Sequence, residues 1–265
     1  MAKPLPGFYG APYFAAGGQI IWVGPRVLAM HPRVVLTDRV PPCGLPLRFT
    51  AIPASGWSAR LPRLGSALSA GLTTRAEALW DALLACASPR GFGALLAENS
   101  PGFPLDFSVP SVNALRQALE RDDARAAFAP ARSLLGFGAG LTPSGDDLVG
   151  GALFGRRFIA PQDRRWTSLA AQLACEIRKR SHAISVALFA DISAGCSFAP
   201  LHEMADALAA DDSVAALAGA RKLAAIGHSS GWDMLAGFSL GVRSRSQYPG
   251  LARAARGARD RFRRG

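Results

Sequence analysis

Two short stretches of this sequence bring together residue types that could handle small polar ligands. The first is Gly136-Phe-Gly138-Ala-Gly140-Leu-Thr142-Pro-Ser144-Gly145-Asp146-Asp147-Leu-Val-Gly-Gly151. The second is Ile226-Gly-His228-Ser229-Ser230-Gly231-Trp-Asp233-Met-Leu-Ala-Gly237. With Ser144 laid on Ser230, both read Ser-Gly-x-Asp-apolar-x-x-Gly. Each sits where a loop enters a predicted helix. A helix N-terminus leaves N–H groups unpaired, and its dipole favours negative charge. Hydroxyls of Thr142, Ser144, Ser229 and Ser230 add donors. Gly138, Gly140, Gly145 and Gly231 let the backbone come close to whatever is bound. The expected ligand class is a small carboxylate or phosphate.

The same pattern also serves plain helix capping. Ser-x-x-Asp is close to a capping box, and acids suit the first helical turn. Capping accounts for Asp147 and Asp233 as well as ligand binding does, but it does not demand the run of glycines. Consecutive helical residues point about 100° apart, so Asp146 and Asp147 cannot both cap. Where the copies differ, Asp146 stands against Trp232 and Thr142 against His228. Positions that are not shared are read as the chemistry, which makes Asp146 and His228 the catalytic candidates. One of Asp146 and Asp147 would face the ligand or a metal. Ser181 and Ser185, four residues apart on a predicted helix, are further candidates for the same site, though buried serines commonly bond to backbone instead.

Other chemistries fit less well. No Lys follows the glycines as in a Walker loop, and no strand precedes them as in a dinucleotide fold. Ser230, His228 and Asp233 lie too close together for a hydrolase triad and lack its elbow. His31 and His202 have no partner at metal-ligand spacing, so no structural zinc is expected. Cys43, Cys86, Cys175 and Cys196 form no Cys-x-x-Cys pair and read as reduced, mostly buried thiols of a cytoplasmic protein.

The elements that must hold these turns follow from hydrophobic spacing. Gln19–Val23, Arg33–Thr37 and Leu45–Ile52 read as strands with a hairpin or small-barrel signature. Helical spacing runs over Ala67–Ala87, Val112–Phe128, Pro161–Ala190, Leu201–Ala209, Ser213–Ile226 and Met234–Val242. On Pro161–Ala190, Trp166, Leu169, Leu173, Ile177, Ile184 and Leu188 fall on one face. The fold class is α+β: a small β-rich N-terminal part, barrel-like or a meander, followed by a mainly helical C-terminal part. Residues 1–108 form the β-rich region with one helix, 109–242 the helical region carrying both turns, and 243–265 a basic tail.

The net charge of +11 suggests nucleic acid, but its placement argues otherwise. Eight arginines against Asp260 lie between Arg243 and Gly265, so seven of the eleven charges belong to the tail. No aromatic-interleaved basic face supports a nucleic-acid partner. No apolar run reaches about 18 residues, so no membrane span is predicted, and the N-terminus lacks the apolar segment of a signal peptide.

The runs Gly138–Asp147 and Gly227–Asp233, with Ser181–Ser185 between them, resemble a bacterial family named after a subunit of oxamate carbamoyltransferase. The resemblance covers most of 131–242 and, more loosely, the β-rich N-terminus. It implies a role in purine-ureide (allantoin) breakdown, where oxalurate and phosphate are interconverted with oxamate and carbamoyl phosphate by a multi-subunit enzyme. By that resemblance Ser144 and Ser230 would bind oxyanions, His228 would polarise a carbonyl or move a proton, Asp146 would orient substrate or an Mg²⁺ ion, and partners would be other subunits or further copies of the chain. Whether this chain performs chemistry or only assembles the complex stays open at this point.

Overall fold

The structure, a computed structural model, describes residues 1–5, 13–40, 45–48, 57–61 and 71–243. Four strands form one sheet in the order β1 (Lys3–Pro4), β2 (Tyr13–Ala16), β3 (Gln19–Pro25), β4 (Val34–Thr37). The first three are antiparallel, but β4 runs parallel to β3, with Trp22 opposite Val34. The hairpin signature fits the antiparallel β1–β3, whereas β4 pairs in parallel, and β1 and β2 were not among the expected strands. Of the strand expected over Leu45–Ile52, residues 45–48 are described and contribute one bridge, Leu47 to Ala2; the rest lies outside the described residues.

The helical part contains α1 (Leu72–Leu84), α2 (Val109–Glu120), α3 (Ala124–Leu134), α4 (Ser144–Ile159), α5 (Arg164–Glu176), α6 (Ala183–Ser193), α7 (Ala199–Ala210), α8 (Ser213–Ala224) and α9 (Ser230–Val242). Short 3₁₀ turns occupy Gly91–Ala97, Leu105–Ser108 and Ile177–Lys179. Two predicted helices are broken. The one over Val112–Phe128 stops at Asp122, which adopts a left-handed conformation (φ 55°), and Asp123 caps the next helix by accepting from Ala126 N–H at 2.9 Å. The one over Pro161–Ala190 is interrupted by the 3₁₀ turn and the bend at 180–182. Trp166, Leu169, Leu173, Ile177 and Ile184 are buried all the same. The apolar spacing survived the break because the 3₁₀ turn keeps the chain on the same side of the core.

The helices α4 and α9 form the centre. Gly151 packs against the backbone of Met234, and Gly237 against the backbone of Leu148. One turn further on, Gly155 meets Gly241 in the same reciprocal way. An added Cβ at any of these would strike main-chain atoms. Small residues four apart are what let two helix backbones touch. One apolar cluster, with Leu79, Trp80, Met204 and Leu223 of α1, α7 and α8, packs against this pair. A second, with Leu115, Ala127 and Leu169 of α2, α3 and α5, includes Leu148 and Ala236 from the same pair. Arg156 of α4 is buried, stacks 4.7 Å over Trp166 and donates to the carbonyls of Leu119 and Arg243.

The sheet is fastened to the helices at α6 and α7. Arg33 donates to both carboxylate oxygens of Asp191, through Nε and Nη2. Trp22, His31 and Phe198 stack at 4.9 and 4.7 Å. Burial pushes the pKa of His31 down to about 3, so this ring is a neutral packing group. Cys86 and Cys175 are exposed, which corrects the expectation of mostly buried thiols; Cys43 and the arginine-rich stretch beyond Arg243 lie outside the described residues.

Candidate functional site

The two Ser-Gly-x-Asp turns meet. Helix α4 starts at Ser144 and α9 at Ser230, four residues before the predicted Met234, and their parallel packing through glycine, with Gly151 on Met234, Gly237 on Leu148 and Gly155 on Gly241, brings one N-terminal turn beside the other. The Thr142 hydroxyl lies 2.9 Å from that of Ser230, and the Ser144 hydroxyl 3.4 Å from that of Ser229. Each contact joins one turn to the other. The acids cross over in the same way. Asp147 has Ser230 and Thr142 as its hydroxyl neighbours, and Asp233 has Ser144 and Ser229.

No side-chain cap forms on either helix. Pro143 precedes α4 and Ser229 precedes α9, and neither start carries a side-chain cap hydrogen bond. The hydroxyls and acids that a capping box would consume are directed into the junction instead. The glycines serve the turns themselves. Gly136, Gly138 and Gly140 have φ of 78°, 109° and 106°, a left-handed run that suits only glycine well. Gly145 and Gly231 lie against the carbonyls of Leu134 and Leu223, at or near the ends of the preceding helices, where a side chain would not fit. Gly145 N–H donates to Phe137 O at 2.8 Å and Gly231 N–H to Ile226 O at 3.1 Å. Those two donors, expected to face a ligand, are thus used within the turns.

Asp146 is buried and fully engaged. Its Oδ1 accepts from Gly136 N–H at 2.7 Å, and its Oδ2 accepts from Ser181 Oγ at 2.5 Å and Ser185 Oγ at 2.6 Å. Ser181 in the bend and Ser185 on α6 do converge on the site, though not from one continuous helix, and they bind a carboxylate rather than backbone. A small cavity beside them is bounded by His31, Asp146, Asp147, Ser185 and Phe198.

The environments of Asp147 and Asp233 differ from that of Asp146. Asp233 is wholly buried; its Oδ1 accepts from Phe92 N–H at 2.6 Å, and its Oδ2 accepts nothing. Asp147 Oδ2 is likewise buried without a hydrogen bond. Burial, with the hydroxyls and Phe92 N–H only partly opposing it, raises the Asp233 pKa to about 6. Burial and then the neighbouring Asp233 raise that of Asp147 well above the ordinary carboxylate range. Two acids that resist ionisation together are suited to holding or passing a proton.

His228 stands at the rim with its ring exposed, while its carbonyl accepts from Arg90 Nη1 at 3.4 Å. The contribution of Gly91-Phe92-Gly93 was missed. Gly91, with φ 54°, lies against Asp233 and Ser229, and Gly93 lies against Trp232. The only signal was a pair of glycines in a loop-rich stretch. Among the described residues no group of three His, Cys, Asp or Glu side chains is placed to hold a metal. No helix among them is long and apolar enough to cross a membrane.

The family model of the oxamate carbamoyltransferase subunit AllH matches residues 134–242. That span runs from the last residue of α3 to the last of α9 and holds both turns, Asp146, Ser181 and Ser185. The motif-based resemblance is therefore matched over this segment. No curated protein matches the chain, and no solved structure does.

Proposed function

We propose that this chain is a subunit of an oxamate carbamoyltransferase-like enzyme of purine-ureide catabolism, and that the junction of the two turns is its ligand site. The observation that carries this reading is the crossing of hydroxyls and acids between the turns, inside the segment that the family model matches. Structural caps have no need to face one another. Oxamate, oxalurate and carbamoyl phosphate each combine oxyanion with amide or carbamoyl groups. Hydroxyls of Thr142, Ser144, Ser229 and Ser230 would donate to the ligand's oxygens, and Asp147 and Asp233 would accept from its N–H groups or exchange a proton with it. Asp146, occupied by three internal donors, takes the part of a positioning residue rather than a catalytic one. His228 is left as a rim group able to carry protons to solvent.

The test is phosphorolysis of oxalurate by the purified chain combined with its partner subunits. Ser144→Ala and Ser230→Ala are expected to lower the rate by about tenfold or more while the complex still forms. A wild-type rate in both variants would overturn the reading. The engagement of Asp146 and of Gly145 and Gly231 N–H by the chain itself favours a second reading, in which this subunit assembles the complex and a partner performs the chemistry. That reading predicts loss of complex formation in the same variants.

A further inference from the structure

Asp147 and Asp233 both direct a buried, unpartnered Oδ2 atom into the junction, and Asp233 has no exposed surface at all. A buried acceptor left without a partner costs on the order of 1–3 kcal/mol, more if charged. Such atoms in a folded protein call for an explanation. Paired protein cations do not supply one. Among the described residues Lys and Arg pair with Asp38, Asp122, Asp163, Glu176, Asp191, Glu203 and Asp211, and none pairs with Asp147 or Asp233.

Apart from Phe92 N–H, which Asp233 Oδ1 accepts, the polar groups set against the two acids are hydroxyl oxygens. The hydroxyls of Thr142, Ser144, Ser229 and Ser230 stand between the acids in two cross-turn pairs. Among the described residues no thiol or imidazole hydrogen-bonds to either acid. An all-oxygen set suits hard cations such as Mg²⁺, Mn²⁺ and Ca²⁺ and disfavours zinc. Two carboxylates balance two positive charges. We infer that Asp147 and Asp233, with hydroxyls of the two turns, hold one divalent cation at the junction. Such an ion would also present a positive centre to the oxyanions of a carboxylate or phosphate ligand, which two bare carboxylates would repel. The inference goes beyond the transferase reading, because cation uptake is measured without partners or substrate.

The experiment uses the full chain stripped with EDTA and titrated with Mg²⁺, and with Mn²⁺ followed by electron paramagnetic resonance. One Mn²⁺ bound per chain, displaced by Mg²⁺, is expected. Mg²⁺ at a hundredfold excess over its dissociation constant should raise the melting temperature by about 5 °C. Asp147→Asn and Asp233→Asn should each weaken uptake by about tenfold or more, whereas Asp163→Asn on the surface should leave it unchanged. Should either junction variant fail to fold, anomalous scattering from Mn²⁺-soaked crystals of the unaltered chain decides: a peak between Asp147 and Asp233 supports the site. No uptake by the folded chain, uptake indifferent to both substitutions, or a peak elsewhere overturns it. Transferase activity that is lost while cation binding persists would count against the functional reading alone.

Discussion

The two turns share a pattern and differ in what surrounds it. In the first, Asp146 gathers Gly136 N–H, Ser181 and Ser185 and so ties α4 to the loop before it and to α6. In the second, Trp232 fills the same position and packs against Gly93. The positions the copies share do something else: Ser144 and Ser230, Asp147 and Asp233, and the glycines behind them build the junction. The shared serines and acids thus build the junction together with two unshared hydroxyls, Thr142 and Ser229, that reach across to the other copy, while Asp146 and Trp232 serve each copy's own neighbours. In the proposed function the chemistry falls to the shared Asp147 and Asp233 rather than to the unshared Asp146 and His228.

The comparison can be broken most severely at the helix crossing. Gly151→Val and Gly237→Val place side chains into the main chain of the opposite helix. Each is expected to cost more than about 5 kcal/mol or to prevent folding, measured by urea denaturation. Because the contacts are reciprocal, the two costs should match; one variant folding normally would show the pairing to be unequal. Next comes Asp146→Ala, which leaves a buried N–H and two hydroxyls without their acceptor. A loss of about 4 kcal/mol is expected, with Asp146→Asn less harmful.

The acids sharpen the comparison through pH. With chelator present, the carboxyl of Asp233 is held up to about 6 by burial, above its ordinary value, so folding favours its protonated form. Its contribution is full below about pH 4 and is lost as pH rises through about 6, a span of about 3 kcal/mol. Asp233→Asn should abolish that slope. Asp147, which has no backbone donor comparable to Phe92 N–H, should stay protonated to higher pH than Asp233. Infrared or NMR titration of the two carboxyls would give the order directly, and the reverse order would contradict the asymmetry. The smallest effect is expected at the rim: His228→Ala should alter stability by no more than about 0.5 kcal/mol, since its ring is exposed.

Much of the junction was legible because duplication marks residues that local propensity does not. The alignment of Ser144 with Ser230 also aligned Gly151 with Gly237, and the structure turns that alignment into reciprocal contact. It would have extended to Gly155 and Gly241, completing a small-x-x-x-small stripe on each helix that declares a close crossing. The fold class was equally readable from apolar spacing. The breaks at Asp122-Asp123 and at 180–182 were not, because the apolar period continued across both. Nor could the sequence show that Phe92 N–H meets Asp233, a contact made across 141 positions by an undistinguished loop. The parallel pairing of β4 was hidden for a related reason: a connection of a few residues ordinarily signals a hairpin.

The account rests on the two turns acting as one site, and the most direct test compares their acids. Phosphorolysis of oxalurate would be measured in the reconstituted complex with Asp147→Asn and with Asp233→Asn, after confirming that both variants fold and assemble. The account predicts that each lowers the rate by about a hundredfold or more, and that the double variant is scarcely worse than either single one. A wild-type rate in either variant, or losses that multiply as though the two acids worked apart, would contradict it.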